Sequence, residues 1–130
     1  MEIIRVKNYD AMSIRLNELF VRQLERKPDS VLSFTTGRTP QLMAELFVDA
    51  VNNGLDISGA VIMNLDEYVG KRDGKYSVST WMNEHIYKRL MTMPKAVYMF
   101  DAEASDKEAE LLRYKEIMRA NPRDILMLGL

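Results

Sequence analysis

The 130-residue sequence contains no cysteine. This absence excludes disulfides, thiolate nucleophiles and zinc sites with sulfur ligands. No apolar run reaches the roughly 18 residues that a membrane-spanning helix needs, so no membrane partner is expected. The first residues, Met1 to Lys7, lack the long apolar core of a signal peptide. These absences are compatible with a cytoplasmic protein, and we expect a cytoplasmic location.

Charge and histidine content argue against two further classes of function. Lys and Arg total 18 against 19 Asp and Glu, a net charge of -1, so the chain has no basic surplus to attract nucleic acid. His85 is the single histidine, and its position within a predicted helix favours packing or solvent exposure over catalysis. No segment has the spacing of a nucleotide-cofactor motif, and neither a cofactor nor a metal is expected.

What the sequence does contain is a regular alternation of strand-like and helix-like segments. Hydrophobic residues make up 47% and charged residues 28%, an ordinary globular composition. The apolar spacing predicts strands at 1–7, 31–35, 60–64, 96–100 and 124–129, and helices at 9–26, 40–52, 80–91 and after a capping box formed by Ser105 and Glu108. This alternation predicts an α/β fold in one domain, residues 1–130, with a mainly parallel sheet of five strands and helices on both faces.

The predicted last strand, Asp124 to Gly129, has no helix after it in the sequence. A parallel strand is normally buried on both faces. We therefore expect either a partner, as in a homo-oligomer, or a longer enzyme domain of which this sequence is the N-terminal part, truncated after the fifth strand.

The loop from Thr35 to Pro40 follows the second predicted strand and precedes a helix. Free amides and the helix dipole favour an anion at such a helix start. Gly37 allows close backbone approach, and Thr36 and Thr39 carry hydroxyl donors. Arg38 adds a charge that is able to reach either a phosphate or solvent. The loop is therefore a candidate phosphate site; the alternative is an ordinary turn in which Thr39 caps the helix.

Two adjacent carboxylates, Asp66 and Glu67, follow the apolar run Ala60 to Met63. Ligands of open α/β sheets bind beside the carboxyl ends of the strands, and a carboxylate there is able to act as a proton acceptor. Neighbouring residues of an extended segment point in opposite directions, so the two side chains are expected to have different roles. The alternative is that Asp66 caps the next turn and Glu67 is solvated.

Together these segments resemble the glucosamine-6-phosphate deaminase (isomerase) family, within a superfamily that also contains 6-phosphogluconolactonases. The segment Thr36 to Pro40 is similar to the family's TGGTP phosphate loop, and Asn64 to Gly70 is similar to its NMDEYVG segment. Glu110, Arg113 and Tyr114 resemble its AECRxYE pattern. Lactonases usually carry a DER-type sequence in place of Asp66-Glu67-Tyr68, which favours the deaminase branch.

The resemblance implies a Rossmann-like α/β sandwich and an aminosugar 6-phosphate substrate, which is converted to the ketose phosphate with release of ammonia. It also implies that Asp66 is the general base, moving a proton between C2 and C1 of the opened sugar. Thr36, Gly37, Arg38 and Thr39 would bind the phosphate, with Glu67 in a supporting position. The alternatives are a 6-phosphogluconolactonase-like enzyme, another sugar-phosphate isomerase, or a non-catalytic sugar-phosphate-binding module.

Three departures from the family pattern bear on activity. Arg38 stands where the family has a second glycine, so its side chain either crowds the phosphate or adds a cation to its site. Between Gly70 and Thr80 the family's HPESY-like stretch is not matched. The sequence also stops before the family's GxDGHIAFNE-like segment, which supplies the histidine and acidic residues for ring opening. We therefore expect residues 1–130 alone to be inactive as a deaminase.

Overall fold

Helices and strands alternate through the computed structural model, which describes residues 3–129. The elements are α1 Tyr9–Arg26, β1 Val31–Phe34, α2 Gln41–Asn52, β2 Val61–Asn64, α3 Val78–His85, a short 3-10 turn at Tyr87–Arg89, β3 Ala96–Tyr98, α4 Lys107–Ala120 and β4 Ile125–Leu126. None of these helices is both long enough and apolar enough to cross a membrane.

The strands form one parallel sheet in the order β3-β2-β1-β4. β1 and β2 pair along their full length, with Val31 opposite Val61 and Phe34 opposite Asn64. Both central strands are buried at every position, as expected for strands covered on both faces. This register ends β1 and β2 at the same level, so the loops that follow them emerge side by side.

Helices cover both faces of the sheet. On one face α1, α2 and α3 enclose the larger core, centred on Phe20, Phe34 and Phe47. The three rings have centroid separations of 5.0, 5.3 and 6.3 Å, within the range of favourable aromatic pairs. On the other face α4 packs Tyr114 against a smaller cluster from β1 and β2. The predicted parallel α/β architecture with two helical layers is thereby confirmed.

The predicted first strand is not formed in the part of the chain that the structure describes. Residues 3–6 have no regular structure, and Ile3, Ile4 and Val6 are exposed; Met1 and Glu2 lie outside the described residues. A strand requires a neighbour that accepts and donates its backbone hydrogen bonds, and no described segment pairs with residues 3–6. The sheet of residues 3–129 therefore has four strands rather than the predicted five.

Two helix predictions also need correction. Helix α4 is capped by Asp106, whose side chain accepts a hydrogen bond from the Ala109 amide at 2.9 Å, so the predicted Ser105–Glu108 capping box is wrong. Aspartate caps a helix as well as serine does, and the sequence offered both. The helix predicted at 80–91 begins earlier, at Val78, and ends at His85, where the 3-10 turn takes over.

Candidate functional site

The loop between β1 and α2 is shaped by one glycine. Gly37 has φ of 107°, a left-handed conformation that glycine adopts without strain. Thr36 is half-buried, whereas Gly37, Arg38 and Thr39 are exposed. No residue other than glycine has a positive φ in residues 3–129, so Arg38 is accommodated without left-handed backbone strain.

A residue that the sequence analysis did not single out holds this loop. The Tyr9 hydroxyl, from the first turn of α1, donates to the Arg38 carbonyl at 3.1 Å and accepts from the Leu42 amide at 3.2 Å. The residue preceding α2 is Pro40, which has no side-chain cap hydrogen bond, so Thr39 is not the helix cap. Tyr9 thus satisfies one amide at the start of α2 and ties the loop to α1. No local pattern signals a contact across 33 residues.

The two carboxylates after β2 have different surroundings. Glu67 accepts hydrogen bonds from the amides of Tyr68, Val78 and Ser79, each at 2.8 Å, and from the Ser79 hydroxyl at 2.7 Å. The Ser77 hydroxyl donates at 3.2 Å. Burial raises the pKa of Glu67, but the hydrogen bonds from Ser79, Val78 and Tyr68 outweigh it and hold the pKa below its ordinary value. Glu67 is therefore not the solvated residue of the alternative interpretation; it anchors the loop to the start of α3.

Asp66 is exposed. Its carboxylate forms no hydrogen bond or ion pair with any residue of 3–129, and it lines a cleft of about 340 Å³ together with Phe100 and Lys107. The exposed Asp66 carboxylate is therefore free to contact a ligand. The Glu67 carboxylate is not, because its oxygens already accept hydrogen bonds from α3.

A larger cleft of about 630 Å³ joins the two loops. Thr36 and Gly37 line it together with residues 68–71 and 74–77 of the loop that follows β2. Asp66 is not among its lining residues, but Tyr68 and Val69 line both clefts. The candidate phosphate loop and the candidate base thus lie in neighbouring clefts, separated by the Tyr68–Val69 segment.

The residues of α4 that carried the resemblance support the strand ends. The Tyr114 hydroxyl donates to the Asn64 carbonyl at 2.7 Å and accepts from the Asn64 amide at 3.2 Å. Burial raises the pKa of Tyr114 to about 12. Glu110 pairs with Arg113 and also accepts from the Asp101 amide at 2.7 Å. The Arg113 hydrogen bond holds the pKa of Glu110 below its ordinary value.

His85 lines neither cleft. Its ring stacks on Trp81 with centroids 4.4 Å apart, and its Nδ1 lies 3.0 Å from the Trp81 carbonyl. The structure therefore agrees with the packing role expected for this histidine.

Known proteins similar to this chain include bacterial glucosamine-6-phosphate deaminases. The Geobacillus sp. (strain WCH70) protein is 31% identical over the whole chain, which covers 53% of that protein. The Lysinibacillus sphaericus (strain C3-41) protein is 33% identical over the whole chain, which covers 56% of it. The chain is a homologue of glucosamine-6-phosphate deaminases. It spans about half the length of the curated relatives that it matches. No protein-family model matches the chain.

Solved structures with the same fold include a glucosamine-6-phosphate deaminase and 6-phosphogluconolactonases. A monomeric glucosamine-6-phosphate deaminase superposes with a TM-score of 0.86 and 25% identity, covering 92% of this chain and 51% of the other. The 6-phosphogluconolactonase from Thermotoga maritima superposes with a TM-score of 0.74 and 18% identity, covering 92% of this chain and 53% of the other. At that identity the lactonase likeness shows the fold alone. The deaminase homologues thus support the branch that the Asp66 to Tyr68 segment favoured.

Proposed function

We propose that this chain carries the proton-transferring carboxylate and part of the phosphate site of an aminosugar 6-phosphate deaminase/isomerase. The observation that carries this proposal is the similarity to glucosamine-6-phosphate deaminases over the whole chain. A cytoplasmic location and the binding of a sugar phosphate are part of the same proposal and rest on that homology.

In the proposed reaction Asp66 takes a proton from C2 of the opened aminosugar and returns it to C1. One carboxylate that both accepts and donates suits this transfer. Its place at the carboxyl end of β2 supports the assignment, because ligands bind at that edge of a parallel sheet. Glu67 is the supporting residue: its hydrogen bonds to α3 restrain the backbone that carries Asp66.

Phosphate binding is assigned to Thr36, Gly37, Arg38 and Thr39. The exposed loop, its left-handed glycine and the adjoining 630 Å³ cleft support this role. Arg38 is exposed and its guanidinium forms no ion pair with residues 3–129, so it is assigned as an added phosphate cation rather than an obstruction.

The ring-opening residues implied by the family resemblance have no counterpart in this sequence, so the proposed activity of the 130-residue chain is incomplete. We expect negligible ammonia release from glucosamine 6-phosphate by the purified chain. Robust ammonia release, measured by an enzyme-coupled assay, would contradict this expectation. Formation of an aldonate from a phosphogluconolactone would instead favour the lactonase-like alternative.

Asp66 is tested by a half-reaction that does not require ring opening of the aminosugar. Fructose 6-phosphate is incubated with protein in D₂O, and exchange of its C1 proton is followed by NMR. Wild-type protein should exchange this proton on the order of 10²-fold faster than Asp66→Asn, the lower end of what a positioned base contributes. Equal rates in the two proteins would remove Asp66 as the base and leave a non-catalytic binding module.

A partner is also proposed: either a second copy of this chain or the remaining half of a longer enzyme. Ile125 and Met127 pack into the larger core, whereas Leu126 is 43% and Leu128 is 64% exposed. The exposed leucines beside the edge strand β4 support an additional packing layer there.

A further inference from the structure

The larger cleft is lined by two lysines that no motif assigns. Lys71 and Lys75 belong to the loop between β2 and α3, and they line the cleft together with Thr36 and Gly37. Among the described residues that line this cleft there is no aspartate and no glutamate. Its charged groups are therefore cations only, and an anion would neutralise them.

Neither lysine is committed to a protein partner. The ammonium groups of Lys71 and Lys75 form no hydrogen bond or ion pair with residues 3–129. The Lys75 ammonium lies 5.5 Å from the centre of the Tyr76 ring. Arg72, between them in sequence, differs: it lies outside this cleft and pairs with Asp101 at 3.1 Å. The loop thus directs one cation to an aspartate and two to the cleft.

The loop that carries these lysines is held by backbone hydrogen bonds. The Gly74 amide donates to the Lys71 carbonyl at 2.9 Å, and the Ser77 amide donates to the Gly74 carbonyl at 2.9 Å. A Cβ at Gly74 would lie 2.9 Å from the Lys71 carbonyl oxygen, so the tight turn excludes a larger residue. Glu67 fixes the end of the loop through Val78 and Ser79. The lysines therefore extend from a defined turn.

We propose that Lys71 and Lys75 bind the phosphate monoester of the substrate in the cleft that Thr36 and Gly37 also line. This inference rests on the proposed function and adds to it the residues that supply positive charge. The Thr36 hydroxyl and the Gly37 backbone amide donate to the dianion, and the two ammonium groups attract it. Charge-assisted hydrogen bonds of this kind are stronger than neutral ones.

The test is calorimetric titration of the whole chain with glucosamine 6-phosphate, with unphosphorylated glucosamine and inorganic phosphate as comparison ligands. The double variant Lys71→Ala/Lys75→Ala should bind glucosamine 6-phosphate at least about tenfold more weakly than wild type. Lys71→Arg/Lys75→Arg should retain most of the affinity. Lys115→Ala, an exposed lysine on α4 at the other face of the sheet, is the matched control and should bind as wild type does.

The outcomes separate this inference from the proposed function. If wild-type protein binds no glucosamine 6-phosphate, both are overturned. If Thr36→Val and Thr39→Val weaken binding while the lysine double variant does not, the lysine assignment alone is overturned. An equal loss in Lys115→Ala would reveal a general charge effect and would also overturn it. All substituted residues except Thr36 are exposed, and circular dichroism melts should confirm that each variant is folded.

Discussion

At the scale of single residues, Asp66 and Glu67 show how adjacent carboxylates acquire different chemistry. Glu67 accepts hydrogen bonds from three backbone amides and two serine hydroxyls. Asp66 has no such partner among residues 3–129 and is exposed. The sequence predicted that the two side chains would differ, because they alternate in direction. The sequence did not predict that Glu67 would accept hydrogen bonds from the start of α3.

Glu67→Ala should destabilise the fold by about 2–3 kcal/mol, because several amides of the 68–79 region lose a charged acceptor. Asp66→Ala should change the free energy of unfolding by no more than about 0.5 kcal/mol, the usual range for an exposed position. Urea unfolding at pH 7 measures both. Equal effects from the two substitutions would contradict the assignment of Glu67 as the structural carboxylate.

The Glu67 contribution should also depend on pH. Its pKa in the folded state lies below the ordinary value of 4.5, so the charged form is favoured by folding. The stabilisation is complete above the pKa of the unfolded chain and is lost as the pH falls through the folded pKa. The stability difference between wild type and Glu67→Ala should therefore be largest near pH 7 and should shrink in acid. A difference that is constant from pH 7 to pH 3 would rule out a charge-based role.

At the scale of elements, α4 is attached to the sheet at the carboxyl ends of its strands. Tyr114 is 1% exposed, and its hydroxyl bridges both backbone groups of Asn64, with the Tyr98 carbonyl 3.2 Å away. Its ring stacks on Phe100. Leu111 and Tyr114 are three residues apart, and this helical spacing predicts both on the packed face of α4. Leu111 is instead 60% exposed, so the prediction is wrong for that residue.

Tyr114→Phe should cost about 1–3 kcal/mol of stability, because the buried Asn64 amide loses its acceptor while the ring volume is retained. The Asn64 amide should exchange its hydrogen faster in Tyr114→Phe than in wild type, and this increase should exceed that of the Leu32 amide. The control is Tyr76→Phe, whose hydroxyl lies on a residue 76% exposed and should have little effect. An unchanged Asn64 exchange rate in Tyr114→Phe would contradict the bridging role.

At the scale of the whole molecule, β4 is the shortest strand of the sheet in residues 3–129. It has two residues, and within residues 3–129 it pairs with β1 alone. Asp124, just before it, accepts from the Lys27 ammonium and from the Val31 amide at 2.8 Å each. Leu126 lies opposite Ser33 and therefore points to the same face of the sheet as Ser33. This is the face on which α4 packs against β2. α4 packs mainly on β2 and β3, so that face is left thinly covered at β4.

If a second copy of the chain covers this edge, light scattering should give a mass above that of a monomer. The double variant Leu126→Lys/Leu128→Lys should shift the mass towards the monomer, because charged side chains oppose edge association. The control is Met91→Lys. Met91 is 82% exposed and precedes β3, the strand at the other edge of the sheet, so this substitution should not change the mass. A monomeric wild-type chain with a single cooperative melt would contradict self-association through this surface.

The sequence by itself determined the order of the elements, the two-layered parallel fold and the two loops at the carboxyl ends of β1 and β2. These follow from local properties: apolar periodicity, strand length, and glycine or proline at the turns. The prediction of the N-terminal strand was wrong because a strand depends on a neighbour that is distant in the sequence. The prediction of the α4 cap was wrong because Ser105 and Asp106 are both residue types that cap helices.

Only the tertiary structure decided which side chains meet. Tyr9 contacts a loop 29 residues away, and Glu67 accepts hydrogen bonds from the first two amides of α3. Lys71 and Lys75 line the same cleft as Thr36. These contacts depend on which strands are neighbours and on their register, since parallel pairing of β1 with β2 brings their following loops to one edge. Local sequence spacing does not contain that information, because hydrogen bonds and charges act through space between segments that packing brings together.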